Sequence, residues 1–356
     1  MKPEPRWKLR EATIADRDSI LALRKLVFAV EDPEKQDPAF WTWEFMDGPE
    51  GRARIFVAVD GDKVVGHYAM IPQDFKLAGD ACKGSIIVDL MTHPDYRRQG
   101  IFARIAKFAF DTASDQLEFA SAYPIRKESS AGFLALGWVE QFKIPVLVRP
   151  LSWPAIARRF LFSLGDLPAW VAGPWRALRA LFAPSLRAGE TLRDLQSHEC
   201  QQLAEVAASG ILGVDAYRVR SAEFFRWRFF ASPAWKYRIS GLFREGRLQA
   251  YVVSRQAKLL DTASLAIVDL GGLPGTGREL SILINELVRQ GTASGQAVAG
   301  AMVTPGNRYH RALRGAGFYP GPHKFSLVLS SNSETFWQQV PTGASWYLSW
   351  ADTDGV

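Results

Sequence analysis

The sequence repeats itself. The aromatic run FWTWEF at residues 40–45 returns as FFRWRF at 224–229, and DGDKVVGHY at 60–68 returns as REGRLQAYV at 244–252, both 184 residues on. Val88-Asp89-Leu90 returns as Val268-Asp269-Leu270, and GFLALGW at 132–138 as ALRGAGF at 312–318, both 180 residues on. A single such match arises easily by chance. Four in the same order, at nearly one spacing, indicate a duplicated structural unit. A chain of 356 residues has room for two domains, each with its own core.

Within the first copy, strand-like and helix-like patterns alternate. Residues 9–13 read as a strand, and Thr13 or Asp16 can cap a helix over 19–30. Residues 40–46 form a short aromatic helix, and 55–59 and 64–71 flank a Gly61 turn, a hairpin signal. Strands follow at 85–92, 119–123 and 139–148, with helices at 101–110 and 129–136. The order predicts an α/β (α+β) chain in which each domain is a mixed, mostly antiparallel twisted sheet flanked by helices. The expected division is 1–150, a helical linker at 151–188, a second domain at 189–330 and a C-terminal tail at 331–356.

Hydrophobic content of 47% with 22% charged residues is that of a folded globular protein. The net charge of +6 suits an anionic ligand or acidic surface, and no nucleic acid is expected from it. Cys82 and Cys200 lie far apart with no metal-type spacing, so free thiols and no metal are expected. The polar N-terminus carries no secretory signal, and no apolar run is long enough to span a membrane, which predicts a cytoplasmic protein. The linker holds five arginines against one acid, with tryptophans, leucines and four prolines between them. It reads as helices packed across the domains, as a dimer contact, or as a peripheral membrane element with a cationic face and an apolar one. The oligomeric state is not legible.

Between the strand at 85–92 and the helix at 101–110 stands His93-Pro94-Asp95-Tyr96-Arg97-Arg98-Gln99-Gly100-Ile101-Phe102. Such a loop exposes backbone N–H groups at the positive end of a helix dipole, a site for an anion such as phosphate. Gly100 lets the backbone approach closely, and Arg97 and Arg98 add attraction.

Arg-x-x-Gly after a strand, preceded by His-Pro-x-Tyr, resembles the coenzyme A loop of the GNAT N-acetyltransferase superfamily, with Phe102 where that family usually has a small residue. The string from Asp89 to Arg97 is similar to acetyltransferases of bacterial surface-polysaccharide synthesis, and the duplication resembles tandem GNAT proteins. The resemblance implies two GNAT-like domains and direct transfer from acetyl-CoA to the amine of an amino sugar linked to a nucleotide or lipid carrier. It implies that Leu90, Met91, Thr92, Arg97, Arg98, Gln99, Gly100, Ile101 and Phe102 hold the cofactor, an N–H near Leu90–Thr92 polarising the thioester carbonyl. Asp89 is the candidate general base, with Glu140 as the alternative. Asp269 at the same place in the second copy argues for a shared structural job instead. Tyr123 or Ser129 can protonate the leaving thiolate. His67 either lines the acceptor pocket or is a satisfied structural histidine. The second copy carries Gly271–Glu279 in place of the loop, without Arg-x-x-Gly and without the lysine and hydroxyl of a nucleotide-hydrolysing loop. It is expected to shape the acceptor cleft, with Trp227 and Arg228 serving there or in the core. The alternatives are a tandem-GNAT aminoacyl transferase of the peptidoglycan cross-bridge type, or a non-catalytic acyl-CoA-binding module at the membrane surface.

Overall fold

The computed structural model describes residues 6–28, 33–113, 117–124, 127–152, 184–211, 213–259, 261–341 and 343–354. Most of the arginine-rich linker lies outside the described residues. The chain divides into two compact units: Met1–Lys143 with Ala231–Ala234 and Ser326–Pro341, and Ile144–Phe230 with Trp235–Phe325 and Thr342–Val356.

The first unit contains β1 (Lys8–Glu11), α1 (Arg17–Phe28), α2 (Pro38–Phe45), β2 (Arg54–Asp60), β3 (Lys63–Leu77), β4 (Asp80–Thr92), α3 (Ile101–Ala113), β5 (Phe119–Ala122) and α4 (Lys127–Ala135). Strands β1 to β4 pair antiparallel in chain order, and β4 pairs parallel with β5. The two long strands β3 and β4 exceed what the periodicity of 64–71 and 85–92 predicts. Gln73, Phe75 and Leu77 are buried while Pro72, Asp74 and Lys76 are not, so a period-two pattern runs on to a tight turn. Ala78 and Gly79 make that turn with φ of 51° and 95°.

Side chains alternate across the sheet, and β3 shows which helices cover which face. Tyr68 and Met70 join a core with Ile105, Ala106 and Ala109 of α3, Phe133 of α4 and Ala120 and Ala122 of β5. His67 points the other way, its ring 6.0 Å from that of Phe45 in α2. Helix α3 therefore covers one face, and α1 and α2 the other.

The second unit contains β7 (Glu190–Asp194), α5 (Cys200–Gly210), β8 (Ala216–Arg218), α6 (Ala222–Phe225), β9 (Arg238–Arg244), β10 (Arg247–Leu259), β11 (Thr262–Gly272), α7 (Gly277–Ala293), β12 (Val298–Met302), α8 (Arg308–Gly315) and β14 (Trp346–Tyr347). Strands β7, β9, β10 and β11 pair antiparallel in that order, and β11 pairs parallel with β12. This is the strand scheme of the first unit, in step with the repeated sequence.

The last strand of each sheet is exchanged. Strand β6 (Val139–Pro150) passes into the second unit after Lys143, where Val146–Pro150 pair antiparallel with β12. Strand β13 (Tyr319–Ser330) passes into the first unit after Phe325, where Val328–Ser330 pair antiparallel with β5. The units thus differ from the division at 150 and 330 read from the sequence, because hydrophobic period reveals a strand but not which sheet it joins. Nor is 331–356 a tail in the described residues. Phe336 is stacked on Phe119 in the first unit at 4.8 Å, while Trp346, Tyr347, Leu348 and Trp350 are buried in the second.

Gly66 marks where α3 crosses the sheet. A Cβ there would stand 2.5 Å from Ile101 Cγ2 and 3.1 Å from Ala58 Cβ. Gly66→Ala is expected to overpack this crossing and destabilise the fold by about 1–3 kcal/mol, read as a lower urea midpoint at unchanged m-value.

Candidate active site

The site is built where β4 outruns its neighbour. The parallel ladder runs from Gly84↔Phe119 to Ile86↔Ser121, but β4 continues to Thr92. From Ile87 onward, no described residue continues the ladder on that side, so β4 presents an open edge. On its other side β4 carries a bulge: His67 faces Met91 and Ala69 faces Val88, leaving one extra residue in β4 opposite Tyr68. Asp89, at that bulge, has φ of 51°, a left-handed conformation uncommon for a residue with a side chain.

Beyond Thr92 the chain turns through a short 3-10 segment, Pro94–Tyr96, into the loop ahead of α3. His93 Nδ1 accepts the Asp95 N–H at 3.3 Å, and the Tyr96 hydroxyl donates to the Asp60 carboxylate at 2.7 Å, pinning the loop to the first hairpin. Arg98 and Gly100 have φ of 62° and 76°. Left-handed residues in such a turn bring N–H groups to one side as an anion-binding nest, here at the positive end of a 13-residue helix. Among the described residues, the N–H groups of Arg98, Gln99 and Gly100 have no acceptor, and the exposed Arg97 and Arg98 side chains have no partner. A Cβ at Gly100 would meet nothing within 4 Å, so the space above the loop is open. Phe102 has its own accommodation: its ring lies 5.9 Å from that of Phe133, and Gly132 leaves the room it fills.

The corresponding stretch of the second unit is closed from within. Arg278 is held by Glu190 at 2.9 Å, and Arg244 pairs with both Glu190 and Glu279. Arg308 donates to the Leu273 carbonyl at 2.8 Å and the Thr276 hydroxyl at 3.1 Å. Its strand edge is filled too. Val303 bridges to Ser349, the Thr304 N–H donates to the Leu348 carbonyl at 3.1 Å, and the Tyr347 hydroxyl donates to the Leu270 carbonyl at 2.6 Å. Residues 347–349 occupy the opening that no described residue fills in the first unit.

Asp89 is not presented to solvent. Its carboxylate is buried and paired with Arg24 of α1, with Lys35 Nζ at 3.9 Å. Arg24 also pairs with Glu44 of α2 and donates to the Lys35 carbonyl at 2.8 Å. Burial works against ionisation of Asp89, but Arg24 and Lys35 outweigh it and hold the carboxyl below its ordinary range. Burial likewise opposes the charge of Arg24, and Asp89 and Glu44 hold it above. For Glu44 burial prevails and pushes its carboxyl up. A carboxylate committed in this way is a weak proton acceptor, which favours the structural reading of Asp89. Arg24, Lys35 and Glu44 escaped the sequence reading. For Arg24 and Glu44 the signal was charge on otherwise apolar helix faces, Glu44 standing within FWTWEF; Lys35, in the polar segment Pro33–Gln36, gave none.

His67 is fully buried, with Nδ1 2.8 Å from the Asp89 carbonyl oxygen. Its Nε2 is buried without a hydrogen-bond partner, and burial, first of the causes, lowers its pKa to about 4. It is a neutral donor to the bulge. Leu90 and Thr92 are half-buried and Met91 buried along the open edge, while Tyr123 is buried just past β5 and Ser129 exposed on α4. Trp227 and Arg228 belong to the other unit, where Arg228 is buried and donates to the Thr353 carbonyl at 3.0 Å. Among the described residues no group of three or more His, Cys, Asp or Glu could hold a metal, and no helix is long and apolar enough to cross a membrane.

Residues 8–134 match the model of the acetyltransferase (GNAT) domain. No curated protein matches the chain. In fold it is similar to N-myristoyltransferase of Saccharomyces cerevisiae, solved with bound myristoyl-CoA, at 14% identity and TM-score 0.62, covering 93% of this chain and 80% of that one. It is also similar to a probable N-acyltransferase of Enterococcus faecalis (11% identity, TM-score 0.65, 94% and 75% covered). A GCN5-related N-acetyltransferase of Anabaena variabilis shares the fold as well (13% identity, TM-score 0.60, 91% and 72% covered). Residues 8–134 form a GNAT acetyltransferase domain, and the chain is an acyltransferase.

His67 also gives a pH dependence. Unfolded, its imidazole takes a proton near pH 6.5; folded, only near pH 4. Between those values the unfolded chain binds the extra proton, so stability is full above the window and falls as pH drops through it. The loss is on the order of 3 kcal/mol. Urea midpoints at pH 7 and pH 4.5 are expected to differ by less in His67→Gln than in the wild type.

Proposed function

We propose that the chain is an acyl-coenzyme A-dependent N-acyltransferase with its single cofactor site in the first unit. The observation that carries this reading is the loop from Arg97 to Gly100, where the N–H groups of Arg98, Gln99 and Gly100 and the side chains of Arg97 and Arg98 have no protein partner among the described residues. Its counterpart in the second unit is satisfied internally. Unpartnered donors at a helix N-terminus, an open edge on β4 and open space above Gly100 fit a ligand with a pyrophosphate and an extended amide-bearing arm.

Acyl-CoA would supply the activated thioester. Arg97, Arg98 and the loop N–H groups bind the pyrophosphate, with Ile101 and Phe102 at the head of the helix. The edge N–H groups within Leu90–Thr92 donate to the arm's carbonyl and to the thioester carbonyl, polarising the latter. The neutral amine of the acceptor attacks the thioester carbon directly in a ternary complex and the carbon–sulfur bond breaks. The thiolate takes a proton from Tyr123 Oη or Ser129 Oγ, and the proton shed by the new amide nitrogen passes through water and restores that hydroxyl. Acetyl is the proposed acyl group. The proposed acceptor is an amino sugar linked to a nucleotide or lipid carrier, a reading supported by the string from Asp89 to Arg97. The second unit, a degenerate GNAT-like domain in this reading, contributes to acceptor recognition.

Gly100→Glu is expected to weaken acetyl-CoA binding at least about a hundredfold by calorimetry, because its carboxylate opposes the pyrophosphate and its backbone resists φ of 76°. Gly100→Ala, uncharged and with open space for its Cβ, is expected to lose far less. Equal affinity in Gly100→Glu and wild type would end the pyrophosphate assignment. Thiol release from acetyl-CoA, screened over free and nucleotide-linked amino sugars, identifies the acceptor; binding without release for any amine indicates a binding module.

A further inference from the structure

Asp89 is gripped at both of its polar ends. Arg24 and Lys35 hold the carboxylate, and His67 Nδ1 holds the carbonyl oxygen at 2.8 Å. A residue at φ of 51° persists when its surroundings over-determine it, and these contacts come from α1, from the segment before α2, and from β3. The peptide joining Asp89 to Leu90 is planar and trans, so fixing the carbonyl fixes the Leu90 N–H in the opposite direction. The carbonyl turns toward His67 of β3, and the N–H therefore turns away from β3, toward the edge of β4 that β5 has left. Leu90 shares the bulge with Asp89, the two standing opposite Tyr68.

We infer that Arg24, Lys35, Asp89 and His67 are positioning residues that aim the Leu90 N–H at the thioester carbonyl oxygen. The inference rests on the acyl-CoA reading above and goes beyond it by naming the donor and the buried device behind it. It also gives the buried pair a role without proton transfer. The second unit has a bulge beside Asp269, which is held by buried Arg220 at 3.3 Å, but there the Tyr347 and Ser349 hydroxyls reach the same carboxylate at 2.9 and 2.7 Å. The carboxylate–arginine grip accompanies the bulge in both units, and only the first leaves an edge for a ligand.

The test compares binding of acetyl-CoA, S-ethyl-CoA, which lacks the carbonyl, and free CoA. Wild type is expected to favour acetyl-CoA over S-ethyl-CoA by about threefold to tenfold, the worth of one hydrogen bond. In Asp89→Asn and in His67→Phe that ratio is expected to fall to about one while affinity for free CoA is unchanged. Arg24→Lys, which keeps the charge, is expected to retain part of the preference. Should Asp89→Asn fail to fold, His67→Phe decides. A wild-type preference preserved in the folded variants overturns the inference and leaves the cofactor reading standing, as does a wild type that binds both thio compounds equally. A wild type that binds none of the three overturns both.

Discussion

The parting of β4 from β5 after three paired residues governs what each part of this chain can do. Parallel strands that separate leave backbone donors and acceptors without partners, and such groups must be satisfied by protein, water or ligand. Each unit contains this opening and resolves it differently. In the second, residues 346–352 enter beside β12 and supply the missing partners. In the first, no described residue fills the edge, and in the loop beside it the N–H groups of Arg98, Gln99 and Gly100 have no acceptor among the described residues. The proposed ligand, with a long polar arm and a doubly charged end, would complete both at once, joining the anion loop and the strand edge in one site.

Buried charge is the second organising element. Moving Arg24, Glu44 and Asp89 out of water is costly unless each finds its partner, and removing one of them leaves the others uncompensated. The cluster therefore tolerates only one arrangement of α1, α2 and the bulged strand. The second unit reaches the same end by another route, with Arg220 between Asp269 and Asp352. The repeated Val-Asp-Leu string is thus a repeated structural junction, a buried arginine–carboxylate pair beside a bulged strand.

Much of this was legible in the sequence. The repeat foretold two units of like topology, and the run from His93 to Phe102 foretold a loop with free donors at a helix start, because both are local patterns. Three things were not. The long β3–β4 hairpin hid behind the mixed polarity of Pro72–Lys83, whose alternation is visible only once one face is known to be buried. The membership of β6 and β13 depends on pairings between residues far apart, such as Val328 with Ala122. The ion cluster joins Arg24, Lys35, Glu44 and Asp89, which share no motif, and Asp89 reads as a candidate base or a structural residue until Arg24 is found beside it. Spacing locates backbone geometry; it does not report which charges meet.

The exchange of end strands ties each sheet to residues distant in sequence. The first sheet closes on residues 328–330, some two hundred positions after β5, and the second takes a strand that precedes the whole of its own remaining sequence. Contacts this distant are formed late, since the loop they close must be ordered before any pairing rewards it. On the ribosome, the unit that carries the loop cannot finish its sheet until residues 328–330 have emerged. A truncated product therefore has an unsealed strand edge at β5, prone to pairing with other chains.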